Sequence, residues 1–155
     1  MIDKTLRIYG CADSPSLREE LRGATNFFID TLLPRKRILH IAVKRRKSLI
    51  DKNGTYGECW QLDEPHCFEI LLDAGVSDEE LITTLAHEMV HVKQFSRKEL
   101  RFGHKADTWY GKKYYHEQST SWAAYNALPW EKEATKLENK LYNAYQNHKE
   151  SEKNS

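Results

Sequence analysis

The stretch Ser77-Asp78-Glu79-Glu80-Leu81-Ile82-Thr83-Thr84-Leu85-Ala86-His87-Glu88-Met89-Val90-His91-Val92 decides how the chain is read. Ser77 with Glu80 three residues later is a capping box, and Asp78 and Glu79 suit the positive end of a helix. Leu81, Ile82, Leu85, Ala86, Met89, Val90 and Val92 form an apolar face wide enough to predict a helix in the middle of the domain. Two histidines and a glutamate are set into that helix, and such side chains are costly to bury without a partner.

Working outward, Asp13-Ser14-Pro15-Ser16 reads as a helix start with proline in the first turn. Leu17, Leu21, Ala24, Phe27, Phe28 and Leu32 follow at helical spacing, and Pro34 closes the segment. Residues 38–43 are a short apolar run expected as a strand, and Asn53-Gly54 marks a turn. Residues 56–62 and 67–72 read as two strands joined through Asp63-Glu64-Pro65. A small sheet is therefore expected between the two helices, antiparallel by its turn signals and at most mixed. Trp109 to Tyr115 is consistent with a tight hairpin around Gly111, and Pro129 precedes a helix expected over residues 130–145. The fold expected is α+β, with residues 1–147 as one domain and 148–155 as a polar, flexible tail.

The chain has 155 residues, with 24 Lys plus Arg against 23 Asp plus Glu, so no global charge drives it toward nucleic acid or anionic lipid. No stretch approaches the roughly 20 apolar residues that span a bilayer. Met1-Ile2-Asp3-Lys4-Thr5 lacks the apolar core of a secretion signal, so a soluble, cytoplasmic protein is expected. Cys11, Cys59 and Cys67 are odd in number and include no CxxC pair, which fits a reducing compartment.

His87-Glu88-Met89-Val90-His91 is an HExxH motif. Positions i and i+4 lie on one helical face about one turn apart. Two imidazoles placed so can hold one Zn²⁺ at ~2.0–2.1 Å, and Glu88 beside them can move a proton without ligating. A catalytic zinc needs a third protein ligand and an open position. The downstream candidates are His104, His116, Glu117, Glu131 and Glu133. Tyr114, Tyr115, His116 and Tyr125 are candidates for a donor to a developing oxyanion.

Leu128-Pro129-Trp130-Glu131-Lys132-Glu133-Ala134, following the HExxH helix, resembles the gluzincin metallopeptidases, especially their minimal forms encoded by phages and prokaryotes. The resemblance covers about residues 66–145. It implies a zincin-like fold whose C-terminal helix carries the third ligand as a glutamate, often followed by alanine. Carried over, that residue is Glu133, before Ala134, with Glu131 as the alternative. It also implies that a strand over residues 67–72 rims the cleft and pairs with extended substrate. Gluzincins often carry an Asp four residues after the ligand, orienting a zinc-binding histidine. Here Leu137 stands four after Glu133 and Thr135 four after Glu131, so that partner must come from elsewhere. Gly103-His104 offers a weaker similarity to SprT-like proteases, which act on DNA-associated proteins, and makes His104 the third candidate.

The function implied is zinc-dependent hydrolysis of peptide bonds, most simply an endopeptidase acting on a peptide or protein. His87, His91 and Glu133 would hold the metal, with Glu88 as general base and acid. The alternatives are a SprT-like enzyme, a catalytically weak zincin-like domain that binds a protein or nucleic acid, and a purely structural zinc. Arg35-Lys36-Arg37 and Lys44-Arg45-Arg46-Lys47 could touch phosphates, although a solvated strand end is the simpler reading. No P-loop, GxGxxG or GxSxG occurs, so nucleotide-binding and serine-hydrolase classes have no support.

Overall fold

The computed structural model describes residues 1–154, apart from the side chain of Asn53. The first strand, β1 (Asp3–Tyr9), leads into helix α1 (Pro15–Leu32) and returns as β2 (Ile38–Arg46). The Ser14 hydroxyl accepts a hydrogen bond from the Leu17 N–H, and Pro15 fills the first helical position, so α1 starts where the sequence predicts. A short helix α2 (Leu49–Asn53), capped by Gly54 at φ +74°, precedes the hairpin β3 (Gly57–Gln61) and β4 (Cys67–Asp73). The central helix α3 (Asp78–Ser96) follows, with the Ser77 side chain accepting from the Glu80 N–H.

The four strands form one mixed sheet in the order β1-β2-β4-β3. Strands β1, β2 and β4 are parallel, and only β3 runs antiparallel, with Gly57 opposite Leu72 and Gln61 opposite Phe68. Of the two alternatives expected, antiparallel or mixed, the sheet is the mixed one. The turn at residues 62–66 fixes only β3 against β4. Helix α1 carries the chain back over the sheet from β1 to β2, and such a crossover makes neighbours parallel. Strand β1 carries little apolar signal, because only Ile8 is buried there and Thr5, Arg7 and Tyr9 are exposed. The rim assignment changes as well. Strand β4 is hydrogen-bonded on both sides, so β3 is the edge strand next to α3.

The core lies between one face of the sheet and helices α1 and α3, with Leu21, Phe28, Val43, Ile70, Leu85 and Met89 wholly buried. Leu85→Ala removes a side chain with no exposed surface, and a loss of roughly 2–5 kcal/mol is expected in urea unfolding.

After α3, β5 (Leu100–Arg101), β6 (Ala106–Trp109) and β7 (Lys112–Tyr115) form a second, three-stranded sheet. Its two-residue turn, Tyr110 at φ +48° and Gly111 at φ +86°, is the hairpin anticipated around Gly111. A 3₁₀ turn (His116–Gln118) and helix α4 (Trp122–Asn126) lead to the long helix α5 (Pro129–Lys153). The end expected as a flexible tail from residue 148 is helical to Lys153. Three contacts with α1 account for this. The His148 ring lies 5.0 Å from that of Phe27, and Lys149 pairs with Glu20, which also accepts from the Tyr145 hydroxyl at 2.9 Å.

Among the described residues, no helix is long and apolar enough to cross a membrane. The three cysteines are free thiols. Within the second basic run, Lys44 pairs with Glu69 at 3.0 Å and Arg45 with Asp13 at 3.4 Å.

Candidate metal centre

Helix α3 presents His87 and His91 one turn apart, with ring centroids 5.1 Å from each other. Ligand atoms of His87, Glu88 and His91 all lie within 4.8 Å of one another, a grouping able to hold a metal ion. Glu88 is only 6% exposed and faces strand β3. Gly57 permits that approach. A Cβ there would collide with the Thr84 side chain and come within 3.3 Å of Glu88 Oε1.

Helix α5 supplies the carboxylate. Glu131 Oε1 lies 3.1 Å from His87 Nε2, and Glu131 Oε2 lies 2.9 Å from His91 Nε2. Glu133, the expected third ligand, is elsewhere. Its Oε1 accepts from Lys93 Nζ at 2.9 Å and from Gln94 Nε2 at 3.0 Å. Two residues along a helix turn through about 200°, so Glu131 and Glu133 flank the buried stripe of Trp130 and Ala134 on opposite sides. Only the Glu131 flank meets the histidines.

The other candidates lie apart from this cluster. His104 is exposed between β5 and β6, and Glu117 is exposed in the 3₁₀ turn. His116 pairs with Asp107 at 2.9 Å. Of the possible oxyanion donors, Tyr114 packs edge-on against Trp130 at 5.4 Å and Tyr115 is exposed on the hairpin. Tyr125 alone among them joins the site, lining it with Glu88 and Glu131.

Two residues that spacing did not single out complete the arrangement. Glu138 Oε2 lies 2.9 Å from His87 Nδ1. It stands seven residues after Glu131, two turns along the same flank of α5, and fills the orienting role left open by Thr135 and Leu137. Gln94 Oε1 lies 2.8 Å from His91 Nδ1. Each Nδ1 thus faces an acceptor, which in the neutral rings leaves both Nε2 lone pairs directed at one place. Two imidazole nitrogens and a carboxylate are a donor set that suits zinc.

Burial alone would lower the pKa of His87. Its hydrogen bonds to Glu131 and Glu138, with the nearby charge of Glu88, outweigh burial and raise it to about 10. His91 is also raised, burial again being overcome by Glu131 and Glu88. Glu131 is the mirror case. Burial would raise it, but the two histidines bring it down to about 2. Burial raises Glu88, only partly offset by His91 and His87. Burial and then the charges of Glu131 and Glu88 push the Tyr125 hydroxyl upward.

These shifts set a pH dependence for the metal-free chain. His87, raised from 6.5, contributes stability fully below pH 6.5 and loses it as pH climbs through about 10. Glu131, lowered from 4.5, contributes above pH 4.5 and loses it as pH falls through about 2. Thermal melts of chelated protein are expected to peak between pH 4.5 and 6.5 and to decline toward pH 10. Glu138→Gln should flatten that decline.

A cleft of about 310 Å³ opens over the site, with Glu88, His91 and Glu131 lining it beside Phe95, Phe102 and Trp130. A second hollow of about 480 Å³ reaches His87 and Glu138, and Tyr125 borders both. Glu88 and Glu131 line both hollows, so the cluster sits at a partly apolar, solvent-open surface of the kind that suits a small molecule or peptide. No protein-family model, curated protein or solved structure matches this chain.

Proposed function

We propose that this chain is a zinc-dependent metallopeptidase, with His87, His91 and Glu131 as the metal ligands. The observation that carries the reading is the meeting of both histidine Nε2 atoms on the two oxygens of one buried carboxylate, with Glu88 at the same cleft. A structural zinc would call for a closed shell of four protein ligands and would have no use for Glu88 or the open groove.

Zinc bound there would supply Lewis acidity, polarising a peptide carbonyl and acidifying water. Glu88 takes a proton from the attacking water and passes it to the leaving amine, a task helped by the rise in its pKa through burial. Tyr125, which lines both hollows, is the candidate donor to the developing oxyanion. Glu138 and Gln94 keep the two rings in the ligating tautomer.

The reading predicts about one zinc per chain by elemental mass spectrometry of untagged protein, and cleavage of an unfolded protein such as casein that stops with a chelator. A chain that holds no zinc after reconstitution overturns it. Zinc must also displace the proton that the His87 ring carries in the metal-free state. Binding near pH 7 should therefore release protons, read by calorimetry in buffers of different ionisation enthalpy.

A further inference from the structure

We propose that Gln94 is a positioning residue that fixes the tautomer and orientation of His91, and that Glu133 and Lys93 act through it by dictating which way its amide points. The inference rests on the metal-centre reading above and assigns a role to a glutamate that reading leaves without one.

Gln94 is 0% exposed, on the side of α3 that packs against the start of α5. A buried primary amide is tolerated only when its carbonyl and both N–H groups find partners. All three are satisfied here. The carbonyl oxygen lies 2.8 Å from His91 Nδ1. The amide nitrogen donates to the Trp130 carbonyl at 3.0 Å and to Glu133 Oε1 at 3.0 Å.

The chemistry of those last two partners removes any choice. A backbone carbonyl and an ionised carboxylate only accept. They hold the NH₂ group on their side and so aim the carbonyl oxygen at His91. Reversing the amide would set its oxygen against two other oxygens. With an acceptor opposite Nδ1, the hydrogen of a neutral His91 ring stays on Nδ1, and Nε2 keeps its lone pair toward Glu131.

Glu133 is itself held. Lys93 Nζ lies 2.9 Å from Glu133 Oε1 and 2.8 Å from Glu99 Oε1. The chain of contacts runs Glu99, Lys93, Glu133, Gln94, His91, passing from the loop after α3 to α5 and back. His87 has no such apparatus. Its Nδ1 faces Glu138, and a carboxylate accepts whichever way it turns. An amide has a donor end and an acceptor end, so it alone needs orienting. This difference explains why a second glutamate and a lysine lie behind one histidine and not the other.

The test measures zinc affinity by competition with a chromophoric chelator, and the visible spectrum of the cobalt-substituted chain. Gln94→Leu is expected to weaken zinc by about 10–100-fold and to alter the cobalt bands. Glu133→Ala should weaken zinc by about tenfold at most. Glu133→Gln should restore affinity, because its carbonyl can still accept from Gln94. The double variant Gln94→Leu/Glu133→Ala should be no worse than Gln94→Leu alone, since Glu133 acts through Gln94. If Gln94→Leu does not fold, the loss in Glu133→Ala and its rescue in Glu133→Gln decide the matter. An unchanged affinity in Gln94→Leu, an additive double variant or an absent rescue overturns this role while leaving the metal centre intact. Failure of the parent chain to bind zinc overturns both.

Discussion

Glu88→Gln is expected to lower peptide hydrolysis by at least about a hundredfold while zinc content stays near that of the parent chain, since general acid–base catalysis contributes roughly 10²–10⁴ in rate. The substitution keeps the shape of the side chain, so its fit into the space left by the missing side chain of Gly57 survives. It removes the one property the mechanism needs, a carboxylate able to gain and lose a proton. Glu88 makes no hydrogen bond to His87 or His91, whose ring nitrogens are engaged by Glu131, Glu138 and Gln94. Metal retention is therefore the control that separates lost chemistry from a lost site. Turnover of the variant close to that of the parent would remove Glu88 from the mechanism.

Glu131→Ala is expected to weaken zinc by more than about a hundredfold, beyond the 10–100-fold typical of residues that only support a ligand. Glu133→Ala, two positions away, should cost about tenfold at most. The contrast follows from the side of α5 on which each stands, one carboxylate spanning both histidines and the other paired with Lys93. Removing Glu131 also leaves two buried, adjacent imidazoles without their shared counter-charge, so both should deprotonate more readily in the metal-free chain. The alkaline decline in its thermal midpoint should then begin at lower pH. Equal zinc affinities for the two variants would return the third-ligand assignment to the open question posed by the sequence.

Local features of this chain were legible because local physics makes them. The Ser77 cap, the wide apolar face of α3, the proline at the start of α1 and the turn at Gly111 depend on residues a few positions apart. The i, i+4 spacing of His87 and His91 likewise implies a shared face wherever the helix packs. The parallel pairing of β1, β2 and β4 was not legible, since it is decided by how α1 crosses the sheet. Strand β1, with Ile8 as its one buried residue, lacks a pattern of its own. The choice between Glu131 and Glu133 depends on the rotation of α5 against α3. The stripe of Trp130, Ala134, Leu141 and Tyr145 runs between them and favours neither. The clue lay further along: seven residues after Glu131 stands Glu138, an acceptor for a histidine, whereas seven after Glu133 stands Lys140.

The carboxylate and the first histidine it meets are 44 residues apart in sequence. Between them run β5, the hairpin of β6 and β7, the 3₁₀ turn and α4, an excursion with little buried surface of its own over residues 116–127. A metal held by both ends turns that excursion into a closed ring. Ring closure restricts the conformations open to the unfolded chain, and opening the segment then requires breaking the clasp. Loading the centre should therefore slow proteolytic nicking around α4, and stripping it should expose the same peptide bonds. An ion held there would in this way also shield the wall of the groove from being cut.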